Sequence, residues 1–398
     1  MRALALALAL TPTLILASST ALAPHARANE AFLAAETLMV QDLKGPLPAD
    51  VSAPIWGMLP STVIWTAPQR TVRLNDRDAN AALAAAAPKP VKVRAAANLK
   101  ELALVLEWTD DTETRMVPDE TAAFGDSAAI ELPLQFGAGT RLPYVGMGDA
   151  QQHVALYLQR AASGGGVVGR ELVAKGFGSS TRAELGRARM SMRYDARSRT
   201  WRALFVRPLS IDGHDLGKGL VPFAVAIWDG AKSERGGNKA ISGWRFLRLT
   251  RFPLDAKYVD ELAFGYRPGD LGDPARGKPL VESVCVACHH IGDKRMAAPG
   301  IAPDLSYAGV VDRASYLRDS IIDPSAVLVP HLNPNQHYSK AAGPDAQRAY
   351  PNNAQYQWHS VGPDGKLVSK MPPLGALDVA SMVAYLRTLG VPPEEKKP

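Results

Sequence analysis

Cys285-Val286-Ala287-Cys288-His289 is the stretch on which the reading of this chain turns. Its C-x-x-C-H spacing is that of a c-type haem attachment site. There two thiols add across the haem vinyl groups and the adjacent imidazole ligates the iron, so all three residues must lie within one helical turn. The chain holds two cysteines in all. Disulfide frameworks and four-ligand zinc sites need more thiols than that, and a thioredoxin-like pair wants a βαβ surround and has no use for His289. His290 reads as a solvated neighbour rather than a second ligand.

With 398 residues and 46% apolar side chains, the chain is long enough for two or three domains with real cores. Its long apolar run is N-terminal. Arg2, the run at 4–16 and the small-x-small site Ala26-Arg27-Ala28 together read as a secretory signal over residues 1–28, cleaved before Asn29. A cut after Ala23 would leave Pro24 next to the bond, and retention as an anchor is the alternative, because the run is long for a signal. Removal of Arg2 and Arg27 lowers the formal charge from +6 to +4. The remaining Lys and Arg residues are interleaved with acids, which describes a solvated surface rather than a nucleic-acid face. Export suits the haem signature, so the expected compartment is the periplasm, with no transmembrane segment after signal cleavage.

Residues 29–265 read as one β-rich sandwich, with short apolar runs between turn clusters. Candidate strands are 91–95, 102–108, 128–134, 154–158, 201–208, 221–228 and 244–250. In the fifth, Trp201, Ala203 and Phe205 alternate with Arg202, Leu204 and Val206, the period of a strand with unlike faces. Residues 79–87 read as a low-complexity linker or short helix. The G-x-G-x-x-G match at 164–169 lacks a βαβ setting and reads as a flexible loop. Residues 256–272 look like the linker, with the domain boundary at 266–272.

Five runs of this region, 105–112 (VLEWTDDT), 124–129 (FGDSAA), 142–149 (LPYVGMGD), 226–230 (AIWDG) and 234–244 (ERGGNKAISGW), occur in an order and spacing that is fairly specific. Together they resemble the haem-b-binding gamma subunit of the ethylbenzene dehydrogenase and dimethyl sulfide dehydrogenase group. The resemblance implies an electron-transfer β-sandwich holding haem b between a methionine and a lysine, beside a molybdenum catalytic subunit and an iron–sulfur subunit. By position the ligands fall on Met147 and Lys239, with Met116 and Lys232 in reserve. A thioether is a soft neutral donor, whereas an amine binds iron only when burial depresses its pKa. The chain departs from the pattern at 154–158, where a tryptophan-rich strand is expected and Tyr157 stands.

From about 272 to 392 the chain resembles a class I cytochrome c domain. Asp273-Pro274 opens a helix that Pro279 should kink. Ala302-Pro303-Asp304-Leu305 matches the loop whose proline carbonyl orients the ligating imidazole, which makes Pro303 the partner of His289. Asp312 is expected to cap a helix through Tyr316 to Ile322, ended by Asp323-Pro324. Met371-Pro372-Pro373 matches the segment that supplies the sixth ligand, with His331, His337 and His359 as alternatives in or beside a long insertion at 330–358. A last helix from about Asp378 puts Val379, Met382, Val383 and Leu386 on one face.

The expectation is a multidomain protein, a β-rich sandwich with haem b followed by an all-α cytochrome c domain (266–398) with haem c. With both irons six-coordinate it suits electron transfer rather than catalysis. Its partners would be the iron–sulfur and molybdenum subunits of an oxidoreductase and a soluble electron carrier. Two other classes remain: a cytochrome fused to a haem-free ligand- or carbohydrate-binding sandwich, and a peroxidase-like enzyme with an open iron.

Overall fold

In the computed structural model, which describes residues 24–71, 76–117, 124–211, 213–294, 302–329, 359–361, 363–364 and 366–393, a 14-stranded sheet folds over on itself. One layer runs in the order Arg189–Asp195, Thr200–Pro208, Glu101–Thr109, Lys89–Ala97 and Thr62–Pro68. The other runs Ala240–Ile241, Leu220–Trp228, Ser127–Pro133, Val154–Ala161, Val167–Ala174 and Thr181–Arg182. The layers join where Pro68 pairs with Ala240 and Ala67 with Ile241.

Alternation decides what lies between the layers, because successive side chains on a strand face opposite ways. Val91, Val93, Leu102, Leu104 and Leu106 of the first layer meet Ala128, Ile130, Leu132, Ala155 and Tyr157 of the second in one core. Trp201, Ala203 and Phe205 point into that core, whereas Leu204 and Val206 pack on Trp56 and Val51 at the back. Arg202, on the same face as Leu204 and Val206, is exposed. Across the layers the Gln159 amide donates to the Leu204 carbonyl at 3.0 Å.

The second layer has another buried face. Ala129, Ala224 and Ala226 lie there with Leu156, Trp228, Ile241 and Trp244. Its small side chains keep the strands' outer surface low, and the loop at 142–149 covers it.

Two expectations change here, and a third resolves to the short helix it allowed. The glycine run opens a full strand, Val167–Ala174, after a short 3₁₀ turn at Ser163–Gly165. Pairing of eight successive residues with Val154–Ala161 outweighs the poor strand propensity of Gly169. Ala256–Leu262 is a helix rather than linker, capped by Asp255 and buried through Tyr258, Val259 and Leu262 in the sandwich core. Residues 79–87 fall largely within the helix Arg77–Ala85, capped by Asp76.

The C-terminal unit is helical. Asp273 caps Pro274–Val284, with Pro274 in its first turn and Pro279 within it. The chain then tightens into a 3₁₀ turn at Cys285–Ala287. Asp378 caps Val379–Leu386, and Met382, Val383 and Leu386 pack with Val281 and Cys285. Asp312 does not act as an N-cap. It closes the short helix Ala308–Val311, and the next helix, Ala314–Ile322, begins after Arg313. Burial pushes the Asp312 carboxyl up to about 7 against the pull of Arg387.

The first and last helices of this unit cross at Gly277, where an added Cβ would lie 1.8 Å from the Ser381 carbonyl oxygen. Gly277→Ala should therefore destabilise the unit by about 1–3 kcal/mol, since the helices must separate to admit a methyl group. Helix propensity alone would stabilise the variant by about 1 kcal/mol. Thermal unfolding of the haem-loaded protein thus decides by the sign of the change.

The two units are welded around Glu36. Its carboxylate pairs with Arg245 at 2.6 Å, and Tyr266 donates to it. Burial would raise its pKa, but Arg245, Arg313 and Arg387 outweigh that and bring it down to about 2. Arg313, from the helical unit, donates to the Leu262 carbonyl and lies over the Phe32 and Phe246 rings. Among the described residues no helix is long and apolar enough to cross a membrane. Ala26 to Ala28 lie in a helix Pro24–Glu36, and residues 1–23 lie outside those described.

Candidate functional site

The turn after Pro274–Val284 is short because Cys288 and His289 both donate their backbone N–H to the Cys285 carbonyl, at 3.1 and 2.8 Å. That turn brings Cys285, Cys288 and His289 to one cavity of about 560 Å³. The His289 ring is buried, and its Nδ1 lies 2.8 Å from the Pro303 carbonyl. With Nδ1–H donating there, Nε2 carries the free lone pair, the tautomer a metal ligand needs. Burial lowers the His289 pKa, which keeps the imidazole neutral.

Met371 lines the same cavity. Its segment is positioned by the hairpin His359–Val361 with Leu367–Ser369 and by the Leu374 N–H, which donates to the Ile321 carbonyl at 2.8 Å. Of the alternatives, His331 and His337 lie outside the described residues, as does the whole 330–358 insertion, and of His359 only the backbone is described. His290 is not a solvated neighbour: its Nε2 is buried and has no partner among the described residues.

Met147 and Lys239 lie on the second layer's outer face. Met147 has a left-handed backbone, φ 84°, in a turn closed by the Gly148 N–H to the Tyr144 carbonyl at 2.8 Å. Its side chain packs with the Ala129–Trp228 face and with Tyr144 and Phe177. Lys239 is 4% exposed, and its ammonium lies over the Trp228 ring, 5.6 Å from the centroid. Burial lowers its pKa to about 8, against an opposing pull from Glu131.

Glu131 was not singled out by sequence. It is buried on the same face, beside both the Lys239 ammonium and the Met147 backbone N–H, and burial raises its pKa well above the carboxylate range. The structure thus gathers a thioether, a deprotonatable amine and a carboxyl on one apolar face. Of the reserves, Lys232 is held by Asp229 at 2.6 Å with its pKa raised, the opposite of what a ligand amine needs. Met116 bridges to Ala162 at another edge.

The two constellations share a wall. Gln69, Arg70, Tyr144 and Ile241 of the sandwich line the cavity of Cys285 and His289. Tyr144 is three residues from Met147 and Ile241 two from Lys239. The Gln69 N–H donates to the Lys239 carbonyl at 2.8 Å, and the Tyr144 ring meets Tyr316 at 5.8 Å.

A β-sandwich joined to a helical unit with a C-x-x-C-H turn and a proline-oriented histidine defines a haem-binding class. The C-terminal unit is a cytochrome c domain: the cytochrome c family model matches residues 274–390. A stretch of 154 residues is 36% identical to chlorate reductase subunit gamma of Ideonella dechloratans, covering 36% of this chain and 58% of that protein. Another, of 158 residues, is 28% identical to a putative respiratory nitrate reductase heme subunit of Haloferax mediterranei, covering 39% and 54%. The chain thus spans a little over half the length of the curated relatives it matches. A family 9 carbohydrate-binding module from Caldicellulosiruptor kristjanssonii superposes on 55% of this chain and 98% of that chain with a TM-score of 0.32 at 11% identity, a likeness too slight to bear on function.

Proposed function

We propose that this chain is an exported dihaem electron-transfer subunit. Cys285 and Cys288 would hold haem c covalently with His289 and Met371 as ligands of its iron, and Met147 and Lys239 would hold haem b. The units would be a signal at 1–28, a haem b sandwich at 29–265 and a cytochrome c domain at 266–398. The observation that carries this reading is the shared wall: Tyr144 and Ile241, three and two residues from Met147 and Lys239, also line the cavity of Cys285 and His289, so a haem b held by that pair would stand near haem c. Each bound haem would supply a one-electron couple at an iron with both axial positions filled, suited to outer-sphere transfer.

The protein's own groups have definite tasks. Pro303 holds the His289 ring in its ligating tautomer. Burial of Lys239 favours its neutral amine, and the Trp228 and Trp244 face excludes water from it. Tyr144 and Tyr316 fill the space between the two ligand sets. Electrons would pass between an iron–sulfur subunit of a molybdenum oxidoreductase, in line with the reductase subunits this chain is similar to, and a soluble carrier in the periplasm.

Haem counting on the whole protein tests the reading. Pyridine haemochrome spectra before and after extraction with acidic organic solvent should give two haems per chain, one covalent and one extracted as haem b. One covalent haem and an empty extract would leave the sandwich a haem-free binding module. Export is checked separately, since N-terminal sequencing of the native protein should begin at Asn29, and a chain beginning at Met1 or Arg2 would be a retained anchor.

A further inference from the structure

We infer that the sandwich binds the propionates of haem c through Gln69 and Arg70, so that the cytochrome c site is completed by the other unit. Beyond the strand Thr62–Pro68 the chain enters the lining of the haem c cavity at Gln69 and Arg70. Gln69 is 2% exposed, yet neither its side-chain nitrogen nor its oxygen has a partner among the described residues. Native proteins rarely bury an amide unpaired, so such a pair of orphaned atoms marks a missing partner.

Arg70 is built as a fixed cation. Its Nη2 donates to the Ala84 carbonyl at 2.5 Å and the Tyr307 hydroxyl at 3.2 Å, and its guanidinium stacks over the Tyr307 ring at 4.7 Å. Its Nη1 stands 4.0 Å from the Asp304 carboxylate. Its Nε is buried without a partner among the described residues. A guanidinium pinned at one end with a free donor at the other fits a carboxylate that arrives with a ligand.

The chemistry of the occupant supplies that carboxylate. Thioether bonds to Cys285 and Cys288 fix the vinyl-bearing edge of the ring, and the two propionates leave from the opposite edge. Carboxylates taken from water need donors or counter-charge. Among the described lining residues of the helical unit the one lysine or arginine is Lys370, which is exposed. The two acids of the lining are already engaged: Asp304 accepts the Ser306 N–H at 2.8 Å beside Arg70, and Asp312 lies within the field of Arg387. Among the described lining residues, the buried donors left without a partner that suit a propionate include the Gln69 amide and the Arg70 Nε, both on the sandwich.

A cation held at the propionates disfavours the more positive ferric state, which gives the test its sign. In spectroelectrochemical titration of the whole haem-loaded protein, Arg70→Leu should shift the haem c equilibrium about tenfold towards the ferric form, about 59 mV for one electron. Gln69→Leu should shift it the same way by about threefold and should move the propionate modes of haem c in resonance Raman spectra. Arg70→Lys should restore most of the Arg70→Leu shift, and Arg193→Ala, on the exposed edge, should change nothing. Unchanged haem c potentials and propionate modes in both leucine variants overturn the assignment. So does a shift confined to the bands of an extractable haem, which would hand the two residues to another group. If Arg70→Leu fails to fold, Gln69→Leu is decisive alone, because the Gln69 side chain has no partner to lose among the described residues. The assignment concerns the covalent haem and stands or falls independently of haem b.

Discussion

Replacing Cys285 and Cys288 together by alanine is expected to leave no haem on the chain after denaturing electrophoresis. No other thiol exists to form a thioether, so haem staining that survives the double change would require a linkage outside the C-x-x-C-H turn. The effect on folding should be nearly as large. The site is a cavity of about 560 Å³ whose walls are mainly apolar and include Leu317, Ile321 and Leu386. Without haem that apolar lining faces water, at a cost on the order of several kcal/mol, a large share of the stability of a typical domain. The helices that surround the site should therefore lose their fixed packing in the double variant. The sandwich has its own core, in which Leu104, Ile130 and Phe205 meet, and should keep its fold. Limited proteolysis reads this directly, with early cuts beyond residue 274 and a protected sandwich fragment. Equal protection of both units would mean that the helical unit closes on itself without haem.

The parts legible in the sequence were those whose signal is local. The expected strands at 91–95, 102–108 and 201–208 lie inside Lys89–Ala97, Glu101–Thr109 and Thr200–Pro208, because period-two burial is written in the residues themselves. The Asp273-Pro274 helix start and the apolar face of Val379–Leu386 are local in the same way. What was not legible depends on pairing or on contact between the units. The strand Val167–Ala174 sits behind a glycine run, and a partner strand rather than propensity holds it. The helix Ala256–Leu262 looks like linker beside the glycines that follow it, and only its burial against the sandwich explains its order. Asp312, expected as a helix cap, is instead a half-buried carboxyl that closes the preceding short helix. Glu131 sits in a strand of alternating apolar residues and reads as an ordinary outward charge until the face it points to turns out to be covered. Gln69 and Arg70 carry no motif at all. Their meaning comes from the Cys285 cavity, more than two hundred residues away in sequence.

If haem b is held by Met147 and Lys239 as proposed, Lys239→Ala should open one coordination position on its iron and make that iron bind carbon monoxide, while the haem c spectrum stays as it was. The geometry makes the change specific. Lys239 is buried beside Glu131 and over the Trp228 ring, and the Cys285 cavity meets that region through Gln69 and Ile241 rather than through the lysine side chain. Lost packing is a modest complication. Burial already raises the Glu131 pKa well above the carboxylate range, so without its cation Glu131 persists as a neutral acid rather than as a stranded charge. Lys239→Met provides the control, since a neutral thioether in place of the amine refills the position and should keep carbon monoxide out. Acid should reproduce the alanine phenotype in the wild-type protein. Burial lowers the Lys239 pKa to about 8 before any metal competes for the lone pair, so the unfolded chain holds more protons than the folded one between that value and about 10.4. Without haem, stability therefore rises with pH through this window. With iron bound, a proton must displace the metal, which moves the transition to lower pH. Falling pH should convert the b-type spectrum reversibly from six- to five-coordinate, with Met147 retained because a thioether takes up no proton in that range. Carbon monoxide binding by the alanine variant no faster than by wild type, in protein that contains haem b, would remove Lys239 from the iron and pass the role to another donor on the Ala129–Trp228 face.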